Sequence, residues 1–310
     1  MAQNKIGILY HAHCIDGYTA AWAAHTYYSQ VMPSREIEML PHNYGDPIVP
    51  VLALADSCEI LHILDYSLDR LVLEQMAEVC SILLLDHHRT AFIQLTGKPP
   101  EEHDDEFYME DSENLRIVLD NKYSGALLTW MYFNEDAAEE APLLIKYVSD
   151  YDIWKFDWQD TKAVNMYLRV TPMTLAAWNT VAFDLDDADL HTIAVQEGEA
   201  ILAYHNLVCK QIVETAGSCR IGRGGHKLGG MQVACPYAFT SEVGRQLADI
   251  SGSYGAMWRQ YGDKVTVSLR SNGDFNVQEI AASMGGGGGH KNAAGFRISA
   301  SRWQECITHG

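Results

Sequence analysis

Short, almost wholly apolar runs alternate with helical segments over the first ninety residues, and this alternation limits the architecture more than any other feature. The runs are Lys5–Tyr10 (KIGILY), Glu59–Leu64 (EILHIL) and Ser81–Leu85 (SILLL). A strand that is apolar at successive positions has no face to give to water. It belongs in a parallel sheet covered by helices on both sides. Between the runs, Gly17–Tyr28 and Leu71–Val79 have helical composition, and Ile37–Leu40 suits a further strand. Strand–helix–strand order of this kind predicts an α/β domain, and three of its strands run into clusters of ionisable residues. The carboxyl ends of strands are where such sheets bind ligands.

The rest of the chain has a different texture. Pro99–Glu113 carries eight Asp or Glu residues and predicts a solvated loop. Gly125–Phe133 and Ala141–Val148 predict helices. The acidic stretch Asp184–Asp189 precedes a long helical pattern from about Thr192 to Thr215. Beyond Gly217 come short strands (Met231–Ala234, Lys264–Leu269), a helix (Glu242–Ile250) and many glycines. We therefore expect a parallel-sheet domain over 1–185, a linker helix over 186–217 and a smaller α+β domain over 218–310, facing the first across a cleft. A chain of 310 residues suits that division.

Charge narrows the function classes. With 22 basic against 41 acidic side chains, the net charge is −19. Gripping a long duplex by counterion release needs a basic stripe, and none is visible. The seven cysteines, Cys14, Cys58, Cys80, Cys209, Cys219, Cys235 and Cys306, form no CxxC pair. That usage fits a reducing cytoplasm. No apolar run is long enough to predict a membrane span, and the N-terminus reads as a first strand and not a signal peptide.

Four clusters follow strands or helices: His11-Ala-His13-Cys14-Ile15-Asp16-Gly17, then Asp65, then Asp86-His87-His88, then Asp150-Tyr151-Asp152-Ile153-Trp154. Imidazole, thiolate and carboxylate all ligate divalent metals. Taken singly, each has a bland reading: Asp16 as a helix cap, Asp65 as a turn residue, Asp150 as part of a solvated acidic turn. Taken together, converging carboxylates repel unless cations hold them. Two divalent ions would satisfy them, and paired ions suit phosphoryl transfer. A fifth cluster, Gly285–Gly289 followed by His290 and Lys291, suits a backbone cradle for phosphate, though no GK[ST] follows as in a Walker loop. Tyr123, Trp130, Trp154 and Trp158 read first as core aromatics and second as base-stacking groups.

The order HxxCxDG, Asp65, Asp-His-His, Asp150 and GGGGHxxAAG resembles the DHH phosphoesterase superfamily with a C-terminal DHHA1 domain, over about residues 5–155 and 218–300. The group includes RecJ-type exonucleases, nanoRNases and cyclic-dinucleotide phosphodiesterases. The resemblance implies two divalent ions, Mn²⁺ first and Mg²⁺, Co²⁺ or Zn²⁺ as alternatives. It implies metal ligands at His11, Asp16, Asp65, His87 and Asp150, with Asp65 bridging. It places His88 by the reacting phosphate and Asp86 behind the histidine pair. Arg270, Gly288, Gly289 and His290 would bind a substrate phosphate. One position departs from the family: Cys14 stands where the first aspartate of a DxD is usual. It could ligate as a thiolate, leave the ligand role to His13, or leave one coordination position open. The expected activity is metal-dependent hydrolysis of short oligonucleotides to nucleoside monophosphates. The alternatives are a cyclic or linear dinucleotide phosphodiesterase and a nucleotide-sensing module without turnover. The expected partners are that short substrate and no membrane or long duplex, and a homodimer is compatible with the reading.

Overall fold

The computed structural model describes residues 4–135, 138–222, 228–273, 275–285 and 287–309, apart from the side chains of His290, Thr308 and His309. The chain divides into two compact units, Met1–Leu202 and Ala203–Gly310.

In the first unit the chain runs β1 (Lys5–His11), α1 (Ile15–Val31), β2 (Glu36–His42), α2 (Val49–Ser57), β3 (Ile60–Leu64), α3 (Arg70–Ala77), β4 (Ser81–Asp86) and α4 (Arg89–Thr96). It continues through β5 (Phe107–Asp111), β6 (Leu115–Asp120), α5 (Gly125–Phe133), α6 (Leu143–Asp152), α7 (Thr161–Val170) and α8 (Leu175–Asp186). The helix α9 (Ala188–Glu214) begins in this unit and ends in the second. The six strands lie in the order β2-β1-β3-β4-β6-β5, parallel throughout except for β5.

The apolar runs behave as their composition requires. Successive residues of a strand point to opposite faces. On β4, Leu83 and Leu85 join one core, while Ile82 and Leu84 join the other. Ile8 and Leu9 of β1 divide the same way. The first core is closed by α1, α5, α6, α7 and α8, and its largest fully buried side chain is Trp178. The second is closed by α2, α3 and α4, through Leu54, Leu73, Met76 and Phe92.

Two expectations need correcting. The acidic segment 99–113 is not all loop, because Phe107–Asp111 pairs antiparallel with β6 as an edge strand. Its alternation of half-buried and exposed residues is that of a strand with one wet face, and such a face accommodates acids. The Asp150–Asp152 cluster does not follow a helix but forms the last turn of α6.

The second unit contains β7 (Gly217–Ile221), β8 (Leu228–Ala234), α10 (Thr240–Ser251), β9 (Tyr254–Tyr261), β10 (Lys264–Ser271) and α11 (Val277–Ser283). It ends with β11 (Gly288–His290), β12 (Ala293–Ser299), α12 (Ala300–Cys306) and β13 (Ile307–His309). Its seven-stranded sheet is ordered β11-β12-β10-β9-β8-β7-β13, antiparallel except for β8 beside β9. Val265, Val267 and Leu269 alternate inward along β10 toward Tyr254, Phe296 and Trp303. Among the described residues no helix is long and apolar enough to cross a membrane.

Candidate metal centre

Strand order places the candidate site. The chain moves from β1 to β2 on one side, then returns to place β3 on the other. At such a switch point the connections leave in opposite directions and open a crevice beyond the strand ends. His11 ends β1, Asp65 directly follows β3, and Asp86 ends β4 with His87 and His88 after it.

Asp65 is the centre of the cluster. It is 1% exposed, and neither carboxylate oxygen has a hydrogen-bond partner. Its backbone is left-handed, with φ 53°, an uncommon state for a residue with a side chain. One oxygen, Oδ2, faces His11 Nδ1 at 3.6 Å. The other, Oδ1, faces His87 Nε2 at 3.2 Å and His88 Nδ1 at 3.6 Å. His87 Nε2 also lies 3.4 Å from Asp152 Oδ2 and 3.7 Å from Asp16 Oδ2. One imidazole nitrogen thus meets three carboxylates. Among the described residues three groups of donor atoms lie within 4.8 Å of one another: Asp65 with Asp86, His87 and His88; His11 with Cys14 and Asp65; and Asp16 with His87 and Asp152.

Two glycines allow this crowding. A Cβ at Gly125 would stand 2.6 Å from Asp65 Cβ and 3.0 Å from Asp16 Oδ2. At Gly17 it would stand 2.6 Å from the His11 carbonyl and 3.1 Å from Asp65 Oδ2. Asp16 does not cap its own helix. It accepts from the Gly125 and Ala126 amides at 2.7 and 3.0 Å, at the amino end of α5. A helix amino terminus is a favourable place for an anion.

Asp86 sits behind the histidines. Its Oδ1 accepts from the His87 amide (2.8 Å), the His88 amide (3.1 Å) and His88 Nδ1 (2.6 Å), and its Oδ2 accepts from the Ser67 hydroxyl. Its bonding capacity goes to orienting His88.

The electrostatics follow from burial and proximity. Burial alone would raise the Asp65 carboxyl, but the imidazoles of His88, His11 and His87 hold it well below the usual range. Burial, then the charges of Asp65 and Asp152, push Asp16 well above it. Burial, with the charge of Asp65, raises Asp152. Burial disfavours charge on His87, yet Asp65, Asp152 and Asp16 outweigh it and lift its pKa to about 10. Asp86 and Asp65 likewise lift His88 to about 9 against its burial. Burial and the three neighbouring acids push the Cys14 thiol well up. Such a donor set has more anionic oxygens than protons can comfortably satisfy, which is the condition a divalent ion meets.

Most sequence-predicted ligands come together here: His11, Asp16, Asp65 and His87, with Asp86 and His88 beside them. Asp150 does not join them. Its carboxylate accepts from the amides of Asp157 (2.9 Å) and Trp158 (3.3 Å) and from the Thr161 hydroxyl. The expectation at Asp150 does not match this geometry: residues two apart on a helix face opposite sides, and it is Asp152 that faces His87. His13 is exposed in a left-handed turn and outside the metal-competent groups among the described residues, whereas the Cys14 sulfur stands within one. Helix phase could have flagged the choice between Asp150 and Asp152. Nothing local marks Gly125 or Ser67.

In the second unit, Arg270 lies on β10, its guanidinium donating to the Leu269 carbonyl (2.9 Å) and the Ser241 hydroxyl (3.4 Å). Gly288 and Gly289 are not free loop but part of the edge strand β11, opposite Gly295 and Ala294. One side of that strand is unused by the sheet. The side chain of His290 lies outside the described structure.

The DHHA1 domain family matches residues 242–308. Over 303 residues the chain is 25% identical to an uncharacterized protein of Acanthamoeba polyphaga mimivirus, covering 94% of this chain and 67% of that one. The DHH domain of a protein from a family of ribosomal proteins superposes with TM-score 0.63 at 14% identity, covering 97% of this chain and 85% of that one. RecJ of Thermus thermophilus, solved in complex with Mn²⁺, gives TM-score 0.53 at 14% identity over 97% of this chain, which spans 50% of the length of that RecJ. At these identities the structural likenesses speak for the fold. The chain thus shares its fold with DHH-domain structures, and its residues 242–308 match the DHHA1 domain family.

Proposed function

We propose that the chain is a metal-dependent phosphodiesterase that hydrolyses short oligonucleotides to nucleoside monophosphates. The observation that carries this reading is the buried Asp65 carboxylate, without a hydrogen-bond partner, one oxygen toward His11 and the other toward His87. His11, Asp65 and Cys14 would hold one divalent ion, and Asp16, His87 and Asp152 the other, with the second oxygen of Asp65 toward His87. When bound, such a pair activates water and neutralises the oxygens of an in-line phosphoryl displacement. Mn²⁺ suits a set of imidazoles and carboxylates, and a thiolate at Cys14 shifts preference away from Mg²⁺.

The chain's own groups supply the remainder. Asp86 engages His88 Nδ1, which fixes the ring and favours its protonated form. His88 then has a proton at Nε2 to offer a phosphate or leaving oxygen. Ser67 and two amides hold Asp86 in turn, so His88 is positioned by a rigid support. Arg270 and the edge of β11 would bind a substrate phosphate in the DHHA1 domain. The net charge of −19 favours a short substrate over a long polyanion.

The test is one panel with Mn²⁺ or Mg²⁺: labelled oligonucleotides from dimers upward, cyclic dinucleotides and pyrophosphate, each against Asp65→Asn. We expect Mn²⁺-dependent release of mononucleotides from the shortest substrates. Cleavage of cyclic dinucleotides alone would replace the substrate assignment. Cleavage of pyrophosphate alone would replace the bond class, and tight nucleotide binding without turnover would establish a sensor.

A further inference from the structure

Asp150 is buried, acidic and outside the metal cluster, and what it holds is informative. Besides its carboxylate bonds to Asp157, Trp158 and Thr161, its carbonyl accepts from the amides of Lys155 (3.1 Å) and Phe156 (3.4 Å). Asp150 thereby holds Lys155, Phe156, Asp157, Trp158 and Thr161, while the Trp154 amide donates to the Tyr151 carbonyl (3.2 Å). Trp154 and Phe156 in that segment are left-handed, with φ 58° and 54°, a strained state for bulky side chains. The segment is built in one shape.

That shape gathers rings and cations. The rings of Trp154 and Phe156 lie 5.2 Å apart, and Tyr151 is 5.7 Å from Phe156. Lys162 Nζ lies 4.7 Å over Phe156, and the Arg169 guanidinium 5.7 Å over Tyr151. Trp154 is 50% exposed, whereas Trp22, Trp178 and Trp303 are buried, so its ring is not there to fill a core. The expectation that Trp154 is a core aromatic is therefore corrected. Lys155 beside it is also exposed. Lys155, Lys162 and Arg169 alternate here with Asp157 and Asp160, and the exposed Lys155 is the cation next to Trp154 in the chain. Exposed aromatic rings beside cations are what single-stranded nucleic acids use for stacking. Trp154 follows Asp152 by two residues, so their Cα atoms are at most about 7.6 Å apart.

We propose that Trp154 is a stacking platform for a nucleobase of a single-stranded substrate next to the metal centre, with Lys155 meeting that nucleotide's phosphate. The inference rests on the phosphodiesterase reading of the same site and deepens it: the enzyme reads a base as well as a phosphate. A base-free phosphate ester lacks the group this platform takes.

The experiment measures equilibrium binding to the full chain in EDTA, where no turnover occurs, using labelled pApA and its counterpart lacking both bases. Wild type is expected to bind pApA about fivefold or more tighter than the abasic ligand. Trp154→Ala should bring that ratio close to one, and Trp154→Phe should retain part of it, which a merely structural tryptophan would not explain. Lys155→Glu should weaken both ligands alike. Equal binding of both ligands by wild type, or an undiminished preference in Trp154→Ala, would overturn the proposal. Hydrolysis of pApA by wild type with Mn²⁺ is assayed separately. Its absence would overturn the hydrolase reading, while the base preference stands or falls on the binding data.

Discussion

The two units solve the same packing problem with different sheets, and the difference shows in where charge collects. In the first unit the parallel strands β1, β3 and β4 are buried on both faces, so polar side chains are driven to the strand ends. There they converge until Asp65 is left with no hydrogen-bond partner for either oxygen. In the second unit the mainly antiparallel sheet carries Arg270, Gly288 and Gly289, the residues expected from the sequence to bind phosphate, along its strands. Arg270 lies within the sheet with its guanidinium engaged by a carbonyl and a hydroxyl. A parallel sheet focuses unsatisfied charge at one crevice, whereas an antiparallel sheet spreads polar groups along its edges and faces.

The largest break in this contrast should come from Asp65. Asp65→Asn is expected to lower turnover on the order of 10³-fold or more and to lose bound Mn²⁺, with the circular dichroism spectrum retained. Metal counting and steady-state rates check it. Full metal content with near-normal rates would remove Asp65 from the centre.

Next come two glycines, one from each unit. Gly125→Ala drives a methyl group into Asp65, so metal affinity should fall about 10- to 100-fold. A Cβ at Gly288 meets nothing within 4 Å, so Gly288→Ala should leave stability within about 0.5 kcal/mol. Calorimetry with and without Mn²⁺ compares them.

The aspartates of α6 sharpen the contrast within one helix turn. Asp150→Ala strands two amides and a hydroxyl, and should cost about 1–3 kcal/mol of stability. Asp152→Ala should weaken metal binding and leave the stability of the metal-free protein unchanged or raised, because it relieves repulsion around Asp65. If Asp150→Ala lost metal without losing stability, the two roles would be reversed.

On the proposed reading, in which Arg270 would meet a substrate phosphate and not the ions, Arg270→Ala should raise KM about tenfold with metal content unchanged. Loss of Mn²⁺ from that variant would contradict the separation of roles.

The smallest effect concerns pH in EDTA. His87 and His88 have folded pKa values of about 10 and about 9, above their ordinary 6.5. Their charged forms therefore stabilise the fold fully below pH 6.5, and that contribution is lost as pH rises through 9 to 10. The melting temperature of the metal-free protein should fall over that window. A flat profile would mean the imidazoles are not held by these acids.

Much of the fold and of the candidate site is legible in the amino-acid order. Periodicity locates β1, β3 and β4, because a doubly buried strand needs an apolar residue at every step. The resemblance carries His11, Asp16, Asp65 and His87 into one cluster. What escapes that reading has a common cause. Phe107–Asp111 is a strand because β6 lies beside it, while its own acids suit a loop. Trp154 suits a core by composition, which says nothing about which ring a strained turn directs outward.

The sequence by itself determined the α/β character of the first unit and the residue types that meet at its strand ends, since burial patterns and donor chemistry are written residue by residue. Only the tertiary structure decided which aspartate of α6 enters the centre, that Asp16 caps a helix more than a hundred positions away, and that Gly125 must lack a side chain. These depend on helix phase and on close approach between segments distant in the chain, and no local pattern encodes a distance between them.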